Sequence, residues 1–453
     1  LKVTVLDMQP IDPPVGGGRL RLLGLYHGLG RGIYCNYIGS YDWPGEPERR
    51  HQLSPSLDEI DIPLSDEHHA AARALATKAN GKTVIDISFG RLGTLSPAYI
   101  EAARKAIRAA DIVVFSHPWV YPLVQDELTP AHTLIYDSHN VEGFLRAQLL
   151  DEGNPHEAEL LNYVVECEYK LARRVDLVLA CSQEDLERFN RIYDLPAEKL
   201  RVIPNGVMAF NSPVPTQKEI VSAKISLEIE KWLMVAIFIG SPYGPNIEAA
   251  EFIIQELAPA RPDTLFVIAG GVGNAVFSSL SNVKITGPLN EEAKQQWLHA
   301  ADIAINPMFS GSGTNIKMFD FMLNRLPTVT TAIGARGIDI AGRSPFIIVE
   351  PNVPAFIEAI AVLSDHETRN ERGQDAYICV EEGYAWERIS RLMGMLCRAR
   401  HRYVGQPMPL FSVIVPTYER HDQLGALMAY LQGQVERDFE VIVEGSAAGH
   451  RDA

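Results

Sequence analysis

Short runs of apolar residues alternate with longer stretches of helical period along almost the whole chain. Strands are predicted at Lys2–Met8, Tyr34–Ser40, Thr83–Ile87, Asp111–Ser116, Thr133–Asp137, Asp176–Ala180 and Arg201–Ile203. These runs are apolar on both faces, which suits a parallel sheet covered by helices on each side. Between them fall helices, one over about Leu20–Leu29 behind Gly16-Gly17-Gly18, and the longest near Val141–Arg174. Met208–Glu230 is polar, carries prolines and lacks a strong period, the mark of a linker. The alternation then restarts at Leu233–Gly240, Leu265–Gly270, Val283–Thr286, Asp302–Asn306, Thr328–Thr331 and Phe346–Val349. The expected fold class is α/β, two doubly wound Rossmann-like units in series. Gly383–Arg400 reads as a terminal amphipathic helix with Trp386, Ile389, Leu392, Met393 and Leu396 on one face. The expected domains are 1–207, 208–382, the terminal helix 383–404, and a short incomplete α/β tail over 411–453.

Composition narrows the class. With 46% apolar and 22% charged residues among 453, the chain is neither disordered nor a disulfide scaffold. Lys and Arg number 41 against 57 Asp and Glu, a net charge of −16, so no nucleic-acid partner is expected. A small anion remains compatible, because a few local donors outweigh a distant net charge. Cys35, Cys167, Cys181, Cys379 and Cys397 form no Cys-x-x-Cys and read as reduced thiols of a cytoplasmic protein. No apolar run approaches the roughly 18 to 20 residues of a spanning helix, and no signal peptide opens the chain. It starts at Leu1 directly on a strand, so a trimmed or partial gene product is expected.

Chemistry concentrates at strand ends. Ser310-Gly311-Ser312-Gly313-Thr314-Asn315-Ile316-Lys317-Met318-Phe319-Asp320 follows a strand and leads into a helix. Small residues let backbone approach a ligand, and free N–H groups at a helix start attract anions. Lys317 and Asp320 are three apart and so share one helical face. A cation beside phosphates and a carboxylate beside sugar hydroxyls would together hold a nucleotide diphosphate. The plainer reading is a capped helix with a surface Lys–Asp pair. Gly16-Gly17-Gly18-Arg19 follows the first strand in the same way, as a tight turn or as amides facing a phosphate or acceptor. It is not a G-x-G-x-x-G dinucleotide fingerprint. His117 and His139 each lie just past a strand end, where ligands of open α/β sheets collect. Neither has zinc-ligand spacing, and no Asp-x-Asp occurs, so no metal site is assigned.

These residues resemble the GT-B retaining glycosyltransferases of family 4. The likeness is carried by Gly16–Arg19, Ser182, and Val202-Ile203-Pro204-Asn205-Gly206-Val207. In the second unit it is carried by Phe238-Ile239-Gly240-Ser241, Pro245-Asn246-Ile247-Glu248-Ala249-Ala250, Ser310–Asp320, Pro327-Thr328-Val329-Thr330-Thr331 and Gly334-Ala335-Arg336-Gly337. It covers roughly residues 1–400. It implies a nucleotide-sugar donor held by the second domain, transfer in the interdomain cleft, and a terminal helix that crosses back onto the first domain. Asp320 falls on the second acid of the family's E-x7-E motif, associated with the donor ribose. Ser312 stands where the first acid would be. The family's Arg and Lys pair is absent from Ser241–Asn246, and Lys317 is the substitute. His117 matches the family's histidine near the transferred sugar. From Phe411 the chain resembles the start of an inverting GT-A glycosyltransferase of family 2, through Phe411-Ser412-Val413-Ile414-Val415-Pro416-Thr417-Tyr418 and Phe439-Glu440-Val441-Ile442-Val443 before Glu444-Gly445-Ser446. An inert tail is expected, and a tandem enzyme for the full gene product.

The activity implied is retaining transfer of a hexose from a nucleoside-diphosphate sugar to an acceptor hydroxyl in cell-surface glycan synthesis, with no cofactor and no metal. His117 and Lys317 are the catalytic candidates. Asp320, Ser312, Gly313, Thr314, Asn315, Gly240 and Asn246 are the donor-binding candidates, and His139 and Asn205 are secondary. Alternatives are a GT-B module that binds a nucleotide sugar or glycan without transfer, and a UDP-sugar epimerase of the same fold. The acceptor is expected to be a glycan or a lipid-linked sugar, set by loops around Asp42–Pro63 and Pro118–Gln125. The expected location is the cytoplasm, with the inner membrane face as an option, though no basic amphipathic helix stands out.

Overall fold

The computed structural model describes residues 1–208, 215–311, 313–402, 411–417, 421–432 and 439–445. The first domain is built on an eight-stranded sheet: β1 (Lys2–Leu6), β2 (Tyr34–Gly39), β3 (Arg49–Ser54), β4 (Leu57–Asp61), β5 (Ile112–Phe115), β6 (Thr133–Asp137), β7 (Leu177–Ala180) and β8 (Leu200–Val202). Their order is β3-β4-β2-β1-β5-β6-β7-β8. Every neighbouring pair is parallel except β3 with β4. The second domain has six parallel strands, β9 (Met234–Ile239), β10 (Thr264–Ala269), β11 (Val283–Gly287), β12 (Ile303–Asn306), β13 (Thr328–Thr330) and β14 (Phe346–Ile348), ordered β11-β10-β9-β12-β13-β14. Both sheets are the Rossmann-like α/β units expected. In each, chain order reverses beside the first strand, between β1 and β5 and between β9 and β12. Crevices at such reversals are where open α/β sheets bind ligands.

The central strands are apolar because both their faces are covered. β5 and β10 contain no exposed residue. Helices cover them through apolar stripes, and Trp386 fills the lower core of the first domain beside Leu22, Leu25 and Met393. A Cβ at Gly24 would lie 2.2 Å from the Trp386 indole, so only glycine lets the helix Trp386–Arg402 dock on the helix Gly17–Tyr26. The connections between the domains pair as they pass. Val207 N donates to Tyr384 O at 2.9 Å and Trp386 N to Val207 O at 3.0 Å.

Three local expectations are corrected. Thr83–Ile87 is no strand: it turns, with Ser88 Oγ donating to Val84 O at 2.7 Å, and buries Val84 and Ile87 in the core. The long helix breaks into Glu142–Leu149 and Pro155–Arg174, because Asn154 caps the second by accepting from His156 N at 2.9 Å, ahead of Pro155. The hairpin β3–β4 was absent from the reading because Arg49–Ser54 is an edge strand with little apolar content. In the tail, β15 (Phe411–Thr417) and β16 (Phe439–Gly445) pair in parallel around the helix His421–Gln432. Ser446 and part of the linker, 209–214, lie outside the described residues.

Candidate active site

At the reversal of the first sheet, Asp7 directly follows β1 and His117 lies two residues past β5. Asp7 is fully buried. One of its oxygens, Oδ1, accepts from Met8 N at 2.7 Å and lies 3.0 Å from His117 Nδ1. Burial pulls the His117 pKa down, but the Asp7 carboxylate more than reverses this and raises it to about 9. His117 stacks on Trp119 and meets the His139 ring at 4.6 Å between centroids. His139 is the opposite case. Burial, then the charge of His117, holds it well below the ordinary histidine range, and its Nε2 has no partner. Two adjacent imidazoles thus carry different protonation states. A cavity of about 160 Å³ opens beside His117, lined by Asp7, Gln9, Asp42, Thr83, Asp86 and Trp119.

The glycine turn borders the same place. Helix Gly17–Tyr26 begins immediately after Gly16, and a Cβ at Gly18 would lie 3.4 Å from His139 Nδ1. Arg19 leaves this edge, with Nη1 3.4 Å from Pro13 O and its guanidinium over Trp43. Asn205 belongs to a buried network under the turn. It accepts from Arg21 Nη1 at 3.1 Å, while Arg21 Nη2 bonds Asp137 Oδ1 at 2.5 Å and Tyr26 Oη donates to Asp137 Oδ2 at 2.9 Å. These contacts make Asn205 a support of the fold of the turn.

In the second domain the described glycine loop runs through Gly311, Gly313, Thr314 and Asn315; Ser312 lies outside the described residues. Arg336 gathers the loop, donating from Nη2 to Gly311 O at 3.0 Å and Gly313 O at 2.9 Å. Thr314 packs against Gly337, and Asn315 Nδ2 donates to Ile333 O at 3.2 Å. The helix opens only at Lys317, since residues 313–316 are spent on this loop, and it is seven residues long. Lys317 and Asp320 also part company. Lys317 Nζ donates to Asn246 Oδ1 at 2.6 Å and lies 4.3 Å above the Phe238 ring, whereas Asp320 faces Lys294 at 3.6 Å. Asn246 is itself oriented by Ser241, to which its amide donates at 3.1 and 3.2 Å, at the end of β9 next to Gly240. Among the described residues Lys317 has no carboxylate partner, and burial lowers its pKa to about 7. Burial raises that of Asp320, and Lys294 opposes the rise.

The two edges face each other. A Cβ at Gly17 would lie 2.9 Å from Ile316 Cδ1, and one at Gly313 would lie 3.8 Å from Asn140 Oδ1. The glycines on each side therefore allow backbone to approach across the cleft. Asp7 and Arg21 were not singled out from sequence. The one signal for Asp7 is a carboxylate closing an otherwise apolar strand.

Comparison with known proteins fits this arrangement. The family model described as Glycosyltransferase Family 4 matches residues 66–208, and that described as Glycosyl transferases group 1 matches residues 234–366. The sucrose-phosphate synthase of Thermosynechococcus elongatus superposes with a TM-score of 0.66 at 15% identity, over 88% of this chain and 98% of that one. Anabaena HepE in complex with UDP gives 0.62 at 15% identity, over 88% and 100%. Its fold is that of the GT-B glycosyltransferases, and two glycosyltransferase family models match its two domains. An uncharacterized 44.6 kDa protein in the cps region of Klebsiella pneumoniae is 24% identical over 168 residues, 34% of this chain and 43% of that protein. The aligned part thus spans less than half of that relative's length. Neither family model extends past residue 366, and the resemblance of the tail to family 2 gains no support. Among the described residues no helix of this GT-B chain is long and apolar enough to cross a membrane, and no three His, Cys, Asp or Glu side chains are grouped to hold a metal ion.

Proposed function

We propose that this chain transfers a hexose from a nucleoside-diphosphate sugar to an acceptor hydroxyl, in the cleft between Gly16–Gly18 and His117 on one side and Lys317 on the other. The observation that carries the reading is Lys317: an amine sunk against Phe238 and Met308, aimed by Asn246, with no carboxylate to neutralise it. A half-buried amine without a counter-ion holds its proton less readily and gains from an anion beside it. A diphosphate is the anion that GT-B clefts are built around. The HepE structures with UDP and with UDP-glucose support a uridine donor.

Departure of the diphosphate builds positive charge at the anomeric carbon and negative charge on the leaving oxygens. Lys317, reprotonated by its ligand, and the amides ahead of it stabilise that leaving group without reorganising. With its pKa near 9, His117 is cationic at neutral pH and holds no vacant site for the acceptor's proton. We assign that proton to the departing phosphate on the same face of the sugar, which gives retention. Lys317 supplies the charge in place of a metal. The cavity beside His117 is where acceptor and donor sugar would meet, lined by Asp42 and Trp119 from the two loops that the sequence marks for acceptors. The acceptor is a glycan or lipid-linked sugar of the cell surface.

The test is incubation with UDP-glucose and a mixed glycan extract, read by mass spectrometry for a mass gain of one hexose. Activity that survives EDTA and is lost in Lys317→Met supports the reading. Tight UDP binding without any transfer or slow hydrolysis would assign a binding module instead, and epimerised donor would assign the rival isomerase.

A further inference from the structure

We propose that Asp7 is the positioning residue of the transfer site: from the buried end of β1 its carboxylate takes the Nδ1–H of His117 and so presents Nε2–H to the donor sugar or its phosphate. The inference rests on the reading above for the identity of that donor, but its geometry stands independently. Asp7 is immobile. Its Oδ1 accepts from Met8 N, its Oδ2 from Gln9 Nε2 at 3.3 Å, and its backbone oxygen from Tyr99 Oη at 2.6 Å. Asp7 is buried in the cavity wall, and it acts through the His117 ring bonded to it. A carboxylate on one imidazole nitrogen fixes which nitrogen is left to act and favours the protonated ring. Among the described residues, His117 Nε2 has no hydrogen-bond partner, and the ring lines the open cavity.

The surrounding charges agree. Trp119 covers one face of the ring. His139 meets another and is kept neutral, so it does not compete for Asp7. Glu142 and Asp86 act on His117 from farther away, and both are bonded by Arg146, at 3.1 and 2.6 Å. Arg21 acts on His139 from beneath and is held by Asp137. Asp7 is therefore the carboxylate in direct contact that sets the state of His117.

Asp7→Asn keeps the shape and removes the charge. Two readouts test it. In the first, nitrogen-15 NMR of labelled histidine follows His117 without any donor. The wild-type ring should stay doubly protonated at pH 7.5 and titrate near pH 9, and the variant should titrate below the ordinary value of about 6.5. In the second, the pH profile of donor turnover should lose its high-pH limb near 9 in the variant. Turnover at pH 7.5 should fall about tenfold or more, the equivalent of one charge-assisted hydrogen bond made neutral, while UDP affinity stays within about twofold, since a loss in the transition state alone leaves ground-state binding in place. Asp7→Glu should restore part of the profile. A wild-type His117 that is neutral at pH 7.5, or a variant that loses UDP binding as much as turnover, overturns the assignment. A protein that turns over no sugar nucleotide overturns the functional reading and leaves the NMR titration to decide on Asp7.

Discussion

Lys317 makes the sharpest prediction, because its charge state should depend on whether the site is filled. In the empty cleft its pKa is about 7, through burial against Phe238 and Met308. A diphosphate beside it restores an ordinary lysine pKa near 10.4. Binding then takes up the difference in protonation, about 0.9 proton at pH 8 and about 0.1 at pH 6. The sign follows: the ammonium form binds, the empty site loses it as pH rises through 7, so affinity falls with pH. Reprotonation at pH 8 costs about 1.4 kcal/mol, and the apparent Kd should weaken about tenfold between pH 6 and pH 8. UDP-glucose is the probe of choice, since its phosphates do not titrate in this range. Calorimetry in buffers of different ionisation enthalpy reads the proton count directly. Lys317→Met should weaken binding and abolish both the proton uptake and the pH slope. An uptake near zero at pH 8, or a slope that survives in the methionine variant, would refute the placement of the diphosphate at this amine.

The remaining predictions address the other side of the cleft and its scaffold. His117→Ala should slow transfer about a hundredfold, within the range for a positioned proton-bearing side chain, while leaving UDP binding little changed; equal losses would make it a packing residue. Gly24→Ala drives a methyl into the Trp386 indole and should destabilise the first domain by about 1–3 kcal/mol in urea unfolding. Asp137→Ala strands the buried Arg21 and should destabilise by about 3–5 kcal/mol, whereas a change below about 1 kcal/mol would mean that water reaches the guanidinium.

The sheets were legible because burial on both faces writes itself as unbroken apolar runs, as in Ile112–Phe115 and Thr264–Ala269. Strand ends were legible too, which places His117 and His139 just past β5 and β6, at the edge of the first sheet. Partners were not. Three-residue spacing put Lys317 and Asp320 on one face, but which neighbour each side chain meets depends on Asn246 and Lys294, far away in sequence. Asp7 escaped for the same reason: its meaning comes from His117, more than a hundred residues later. Thr83–Ile87 misled because a short apolar run packs equally well as a turn.

The contrast between Lys294 and Lys317 in the second domain explains why one of them is suited to a ligand. Lys294 already has Asp320 and Glu291 as partners, so a phosphate reaching it would have to displace a carboxylate. Among the described residues Lys317 bonds only the neutral Asn246 oxygen and the Met308 sulfur, and no carboxylate must leave when an anion arrives. The cost is displaced to the empty state, where the amine gives up its proton. That also lets the cleft close in a chain of net charge −16 without burying an unpaired cation. Above pH 7 Lys317 is therefore charged mainly when an anion is beside it, while His117 across the cleft stays charged up to about pH 9 because Asp7 is bonded to it. In the proposed reaction the first side would respond to the diphosphate and the second to the sugar. A carboxylate placed beside Lys317, for instance by Met308→Glu, should turn the first into the second: a permanent cation, no proton uptake, and weaker donor binding despite an added salt bridge.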